Sequence, residues 1–193
     1  MHRAGFVLAG GQSARMGRDK ALLPYGSATL IEAVAGRVRA VVNPAALIGD
    51  PRKYAHFGYP VHPDLVPGSG PLGGLHAALH LGWADWNLVV ACDMPYLTGT
   101  ILAALFERAE SVADPQLACV VPLTEDGEPE PLCAVYHSSC LPAVERALAE
   151  KRRKMKVLLS ELQCVRQGGW PSRLFTNVNT SEEWTDLAED AGR

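Results

Sequence analysis

Apolar runs of strand length alternate along this chain with segments whose apolar residues recur at helical spacing. Residues 6–9 (FVLA), 45–49 (AALIG), 87–93 (NLVVACD), 117–122 (LACVVP), 132–136 (LCAVY) and 174–179 (LFTNVN) read as strands. Between and after them, residues 28–40, 71–82, 97–111, 138–150, 156–162 and 180–190 read as helices. A run such as 87–93, apolar almost throughout, suits a strand buried on both faces, as in a parallel sheet. Strands in regular alternation with helices predict a three-layer αβα sandwich around a mostly parallel, mixed sheet. No internal repeat, low-complexity tract or linker interrupts the pattern, so one domain over residues 1–193 is expected.

Open sheets of this kind bind ligands at the carboxyl ends of their strands. Four features fall on that edge: Gly10-Gly11, Gly49-Asp50, Asp93 and Asn177/Asn179. The first of these lies in LAGGQSARMGRDKALLPYGSATL, residues 8–30. Glycines let the backbone turn sharply and approach a ligand closely. Successive N–H groups in such a loop can face phosphate oxygens. Arg15 and Lys20 would add positive charge, one as a planar fork and one as a point charge. The plainer reading is a strand-to-helix turn with two solvated cations. It is not a P-loop, because Gly17 is followed by Arg18-Asp19, and Lys20 by Ala21. G-x-G-x-x-G does occur at residues 68–73. Pro63 and Pro67 argue against a central strand before it, so the match reads as chance.

Asp93 closes the 87–93 run and is followed by Met94-Pro95, which ends the strand. A carboxylate at a sheet rim often serves only as a cap or turn former. Opposite a phosphate loop it is a natural magnesium ligand, since Mg2+ takes one or two carboxylates and fills its shell with phosphate and water oxygens.

Composition excludes several classes. A formal charge of −3 gives no general attraction to nucleic acid or to an anionic membrane. No apolar stretch reads as a signal peptide or a membrane span. Five cysteines without a C-x-x-C pair suit reduced thiols in a cytoplasmic protein better than a disulfide frame or a zinc site.

The segments LAGGQSARMGRDKA, DLVPGSGPLGGLHAAL, CDMP, PLCAVY and NVNT, in this order, resemble the molybdenum cofactor guanylyltransferase family (MobA type). That family lies within the glycosyltransferase-A-like nucleotidyltransferases. The resemblance runs from Gly5 to about Glu183. It implies a Rossmann-like sheet of the nucleotide-diphospho-sugar transferase type. The implied activity is transfer of GMP from GTP to molybdenum-molybdopterin, with Mg2+ as cofactor and pyrophosphate as by-product. It implies that Leu8, Ala9, Gly10 and Gly11 meet GTP, that Lys20 binds phosphate, that Asp64 binds nucleotide and that Asp93 holds magnesium. Arg15, Lys20 and Asp93 would be the catalytic set. Some members place an asparagine after the second strand; here Gly49 or Asp50 stands there. The Asn177–Thr180 motif (NVNT) would lie near the site. Molybdoenzyme apoproteins and other cofactor-biosynthesis proteins are the further partners implied.

Asp64 could accept from the guanine N1–H and N2–H2 donors. It could equally contact ribose or form a turn before Pro67. Related cytidylyltransferases typically carry LAAG where this chain has LAGG, which favours guanine. A cytidylyltransferase and a sugar-1-phosphate nucleotidyltransferase are the enzymatic rivals. A non-catalytic cofactor carrier is the rival of another class, and retention of both Lys20 and Asp93 speaks against it.

Two further signals stay outside this scheme. His76 and His80 have the i, i+4 spacing of a metal pair, but the sequence offers no third ligand beside them. The basic run KRRKMK, residues 151–156, reads as a solvated loop at a helix end rather than as a clamp for phosphate or for a partner protein.

Overall fold

The computed structural model describes residues 1–9 and 19–178. Its strands are β1 (Arg3–Leu8), β2 (Pro24–Tyr25), β3 (Ala28–Thr29), β4 (Ala45–Ile48), β5 (Val61–His62), β6 (Trp86–Ala91), β7 (Cys119–Thr124), β8 (Cys133–His137) and β9 (Cys164–Trp170). Its α-helices are α1 (Leu30–Val41), α2 (Pro51–Tyr54), α3 (Pro71–His80), α4 (Gly99–Ser111), α5 (Leu141–Ala149) and α6 (Met155–Glu161). Seven strands form one sheet in the order β5-β4-β1-β6-β8-β7-β9, and β2 and β3 make a small separate ribbon. β1, β4, β5 and β6 run parallel. β8 is antiparallel to both its neighbours, and β9 is parallel to β7. The sheet is therefore mixed and mostly parallel, as the alternation predicts.

Alternation along each strand sorts the core into two layers. Val7, Leu47, Leu88 and Val90 face α1 and α4, where they meet Ile31, Val34, Leu102 and Leu105. Phe6, Leu8, Ile48 and Val89 face the other side and meet Leu72, Leu75 and Val144 of α3 and α5. Every residue of β6 is buried, which explains its unbroken apolar run. α1 begins at Thr29 with a capping box. The Glu32 backbone N–H donates to the Thr29 hydroxyl, and the Glu32 carboxylate accepts from the Thr29 backbone N–H at 2.8 Å. Gly5 is required in β1, because a Cβ there would lie 2.5 Å from Val38 Cγ1 and 2.6 Å from Val42 Cγ1. No helix among the described residues is long and apolar enough to cross a membrane.

Two expectations are corrected. Of the strand expected at residues 174–179, the described part, 174–178, forms no strand. Ser172–Phe175 is a 3-10 helix, Phe175 plugs into the core, and the chain then crosses back so that Val178 N–H donates to Asp93 O at 3.1 Å. The ladder position beyond β7 is filled instead by Cys164–Trp170 (CVRQGGW). That strand is partly exposed throughout and carries Arg166, Gln167 and two glycines, so no apolar pattern marks it. The cysteines are not all thiols: Cys119 and Cys164 form a disulfide across β7 and β9, with Cα atoms 4.7 Å apart. Parallel register sets them side by side although 45 residues separate them in sequence. Cys92, Cys133 and Cys140 are free.

Candidate active site

The carboxyl edge of the four parallel strands collects the sequence-predicted residues that the structure describes. β1 ends at Leu8-Ala9, β4 at Gly49-Asp50, β5 leads into Asp64, and β6 into Cys92-Asp93. Gly10, Gly11, Arg15, Asn179 and Thr180 lie outside the described residues, as does the helix expected at 180–190.

Chain re-entry after the glycine segment is fixed by Asp19. It caps the 3-10 helix Lys20–Leu22, with Oδ1 accepting from the Ala21 N–H at 3.3 Å. Its Oδ2 accepts from Lys53 Nζ at 2.9 Å and lies 2.8 Å from the Tyr54 hydroxyl. The same hydroxyl lies 2.9 Å from the Ala9 carbonyl oxygen. One buried phenol thus bridges the end of β1 and the residue before Lys20. Burial, and secondarily the Asp19 carboxylate beside it, pushes the Tyr54 pKa far up, so the phenol keeps its proton and donates. Gly49 makes room for this ring: a Cβ there would lie 2.7 Å from Tyr54 Cε2.

Sequence reasoning missed Tyr54 and Lys53. The signal was present in Asp50-Pro51, a cap followed by proline at the first helical position. Asp50 does cap α2, accepting from the Arg52 N–H at 3.0 Å and pairing with the Arg52 guanidinium. Those hydrogen bonds hold its carboxyl below the usual range. At the end of β4, then, Asp50 is engaged by Arg52 and Gly49 serves Tyr54. Tyr54→Phe removes one buried hydrogen bond, worth about 0.5–1.5 kcal/mol. Thermal melting should show a midpoint lower by roughly 1–6 °C for a chain of this size. An unchanged midpoint would mean that the bridge contributes nothing to stability.

Asp93 sits at the mouth of β6, partly buried. Burial pushes its carboxyl pKa up; the Lys20 ammonium and the aspartate's own backbone N–H pull it partly back. The fold therefore brings Lys20 and Asp93, 73 positions apart in number, within electrostatic reach of each other. A carboxylate short of solvent has much to gain from a cation, and an all-oxygen partner of this kind suits a hard divalent ion. Burial, and secondarily the Asp93 charge beside it, raises the thiol pKa of Cys92 and favours the protonated thiol.

Asp64 Oδ1 accepts from the Val66 N–H at 2.8 Å, so the turn-forming reading holds for that oxygen. The carboxylate also rests against α3: a Cβ on Gly73 would lie 2.7 Å from both of its oxygens. Gly74 similarly lets α3 press on Leu8, whose methyl carbons would be 3.0 Å from an added Cβ. The glycines at 73 and 74 thus serve close packing of α3 against β1 and Asp64. The basic run is largely engaged within the fold. Arg152 pairs with Glu150 and Glu161, Lys156 with Glu128, and Arg153 donates to the Gly68 carbonyl at 2.8 Å. The run joins α5 to the first turn of α6, and it is ion-paired within the fold where a solvated loop was expected.

The mixed α/β sheet sets Asp93 at its carboxyl edge, where open sheets of this kind bind their ligands. Residues 5–165 match the model of the MobA-like NTP transferase domain, and the chain belongs to that family. It is 32% identical over 188 residues to "Probable molybdenum cofactor guanylyltransferase" of Carboxydothermus hydrogenoformans, covering 94% of this chain and 92% of the relative. It is 36% identical over 187 residues to the protein of the same name from Deinococcus radiodurans, covering 97% and 93%. Among solved structures, molybdopterin-guanine dinucleotide biosynthesis protein A from Archaeoglobus fulgidus superposes with a TM-score of 0.83 at 25% identity, covering 98% of each chain.

Proposed function

We propose that this protein transfers GMP from GTP to molybdenum-molybdopterin, forming the guanine dinucleotide cofactor and releasing pyrophosphate. The observation that carries the reading is membership of the MobA-like NTP transferase family over residues 5–165, with Asp93 at the carboxyl edge under the electrostatic influence of Lys20. The terminal phosphate of the pterin attacks the α-phosphorus of GTP, and the bond to the pyrophosphate oxygen breaks. That nucleophile is already largely ionised near neutral pH, so no general base is needed. This fits a rim where Cys92 stays a thiol and Tyr54 a phenol. The work left to the protein is to hold two anions together and to offset charge on the departing group.

Lys20 is assigned to the triphosphate, and so are Gly10, Gly11 and Arg15, which lie outside the described residues. Leu8 and Ala9 form the floor where the nucleotide lies, and Asp64 contacts it from the α3 side. Asp93 is the residue that would hold Mg2+, which when bound supplies positive charge to the phosphate oxygens. The whole chain acts as one nucleotidyltransferase domain. Its place is the cytoplasm, a placement that rests on the nucleotide substrate and not on the cysteines, two of which are paired. Molybdoenzyme apoproteins and other cofactor-biosynthesis proteins would be the recipients of its product.

Calorimetric titration with GTP and with CTP, each with Mg2+, tests the choice of base. A partner missing from a site built for guanine leaves buried polar groups unmatched, at about 1–3 kcal/mol. GTP should therefore bind about 5- to 150-fold more tightly. Equal or tighter binding of CTP would move the protein to the cytidylyltransferase branch.

A further inference from the structure

Away from the carboxyl-edge site, α3 and α5 pack side by side on one face of the sheet, and their contact carries three metal-ligating side chains. His76 and His80 stand one turn apart on α3, with ring centroids 5.6 Å apart and planes inclined by 33°. The missing third ligand comes from another helix: Glu145 of α5 places Oε1 3.8 Å from His76 Nε2. One ligand atom from each of the three residues lies within 4.8 Å of the other two. Around a tetrahedral zinc with bonds near 2.0–2.1 Å, neighbouring ligand atoms stand about 3.3 Å apart. The set must therefore close by up to about 1.5 Å. His80 and Glu145 are exposed and can turn, while His76 is held by the surrounding helix face.

From this geometry we infer that His76, His80 and Glu145 form a binding site for a borderline divalent cation, with Zn2+ the foremost candidate, that joins α3 to α5. Two imidazoles and one carboxylate suit Zn2+ and its neighbours among the transition metals, whereas Mg2+ prefers an all-oxygen shell. Three protein ligands leave room for water to complete the coordination. The plainer alternative is a His76–Glu145 ion pair with His80 merely adjacent. That alternative gives no role to the alignment of His80 with the pair. Affinity should be modest. His76 Nδ1 is buried with no hydrogen-bond partner among the described residues. A ligating histidine normally gives its second N–H to an acceptor, and lack of that outer partner typically costs about 10–100-fold. A micromolar dissociation constant is expected rather than a nanomolar one.

The test uses full-length, tag-free protein and Zn2+ in competition with a chromophoric chelator, without and with excess Mg2+. One Zn2+ per chain should bind in the micromolar range and resist Mg2+. His80→Ala and Glu145→Gln change exposed side chains, so circular dichroism should show an intact fold, while zinc affinity falls at least about tenfold in each. Zn2+ should also raise the melting midpoint of the wild type and not of the variants, since a cation that binds only the folded helix pair stabilises it by mass action. Co2+ at the same site should give visible absorption that His80→Ala abolishes. No binding by wild type below about 100 µM Zn2+, or zinc binding unchanged in both variants, would overturn the site. This outcome is independent of the guanylyltransferase reading, because neither helix end involved carries a residue assigned to GTP.

Discussion

Asp93→Asn is expected to slow guanylyl transfer by about 10²–10³-fold while leaving the nucleotide-free protein at least as stable as wild type. The two halves of this result have one cause. Burial raises the Asp93 pKa, so the ionised carboxylate is costly in the empty protein at neutral pH. Its folded pKa lies above the unfolded value. The penalty is therefore absent below the unfolded pKa of about 3.9, grows as pH rises through the folded pKa, and then stays constant. An amide of the same shape removes that cost, so the variant's melting midpoint should equal or exceed the wild type's near neutral pH and converge with it in acid. The amide is also a weaker ligand for a hard cation. Single-turnover transfer across a magnesium titration, with melting curves at two pH values, separates the effects. A folded variant with near-normal rate and magnesium dependence would place the metal elsewhere. A variant that is merely unstable would make Asp93 a structural residue.

Lys20→Ala should weaken GTP binding by roughly 10–100-fold, the loss expected when a charge-assisted hydrogen bond of about 1.5–3 kcal/mol is removed. Lys20 opens a short 3-10 helix that Asp19 caps and anchors through its own side chain. The backbone around it should thus survive truncation. A second readout belongs to the same variant. The Lys20 ammonium lowers the Asp93 pKa against burial, so its removal should leave the carboxylate harder to ionise. The acid limb of the pH–rate profile should move to higher pH. Unchanged affinity together with an unmoved limb would remove Lys20 from the site.

The fold was legible where burial writes itself into the sequence. β6 is buried at every position, and the 87–93 run shows it. α1 carries an apolar stripe of Leu30, Ile31, Val34 and Val38 and a capping box. The strands that escaped notice are those at sheet edges, where one side faces solvent. β5 is two residues long, and β9 mixes valine with arginine, glutamine and glycine. The 174–179 segment misled because Leu174, Phe175 and Val178 are apolar for a different reason: they fill a corner of the core beneath the Asp93 loop without pairing to any strand. At the site, residue types that handle phosphate and metal were readable at strand ends. The supporting contacts were not. Tyr54 reaches Ala9 and Asp19 across 45 and 35 positions, and Glu145 reaches His76 from another helix. Both are tertiary coincidences that no local spacing encodes.

The central claim concerns a product, and the most direct measurement identifies it. Purified protein is incubated with Mg2+, molybdenum-molybdopterin and an equimolar mixture of the four ribonucleoside triphosphates, and the pterin products are separated and weighed by mass spectrometry. The account predicts a single new species heavier than the acceptor by one guanylyl group, with pyrophosphate released in equal amount and no product when Mg2+ is chelated. A cytidylyl adduct, or an acceptor left unmodified while GTP remains intact, would contradict it.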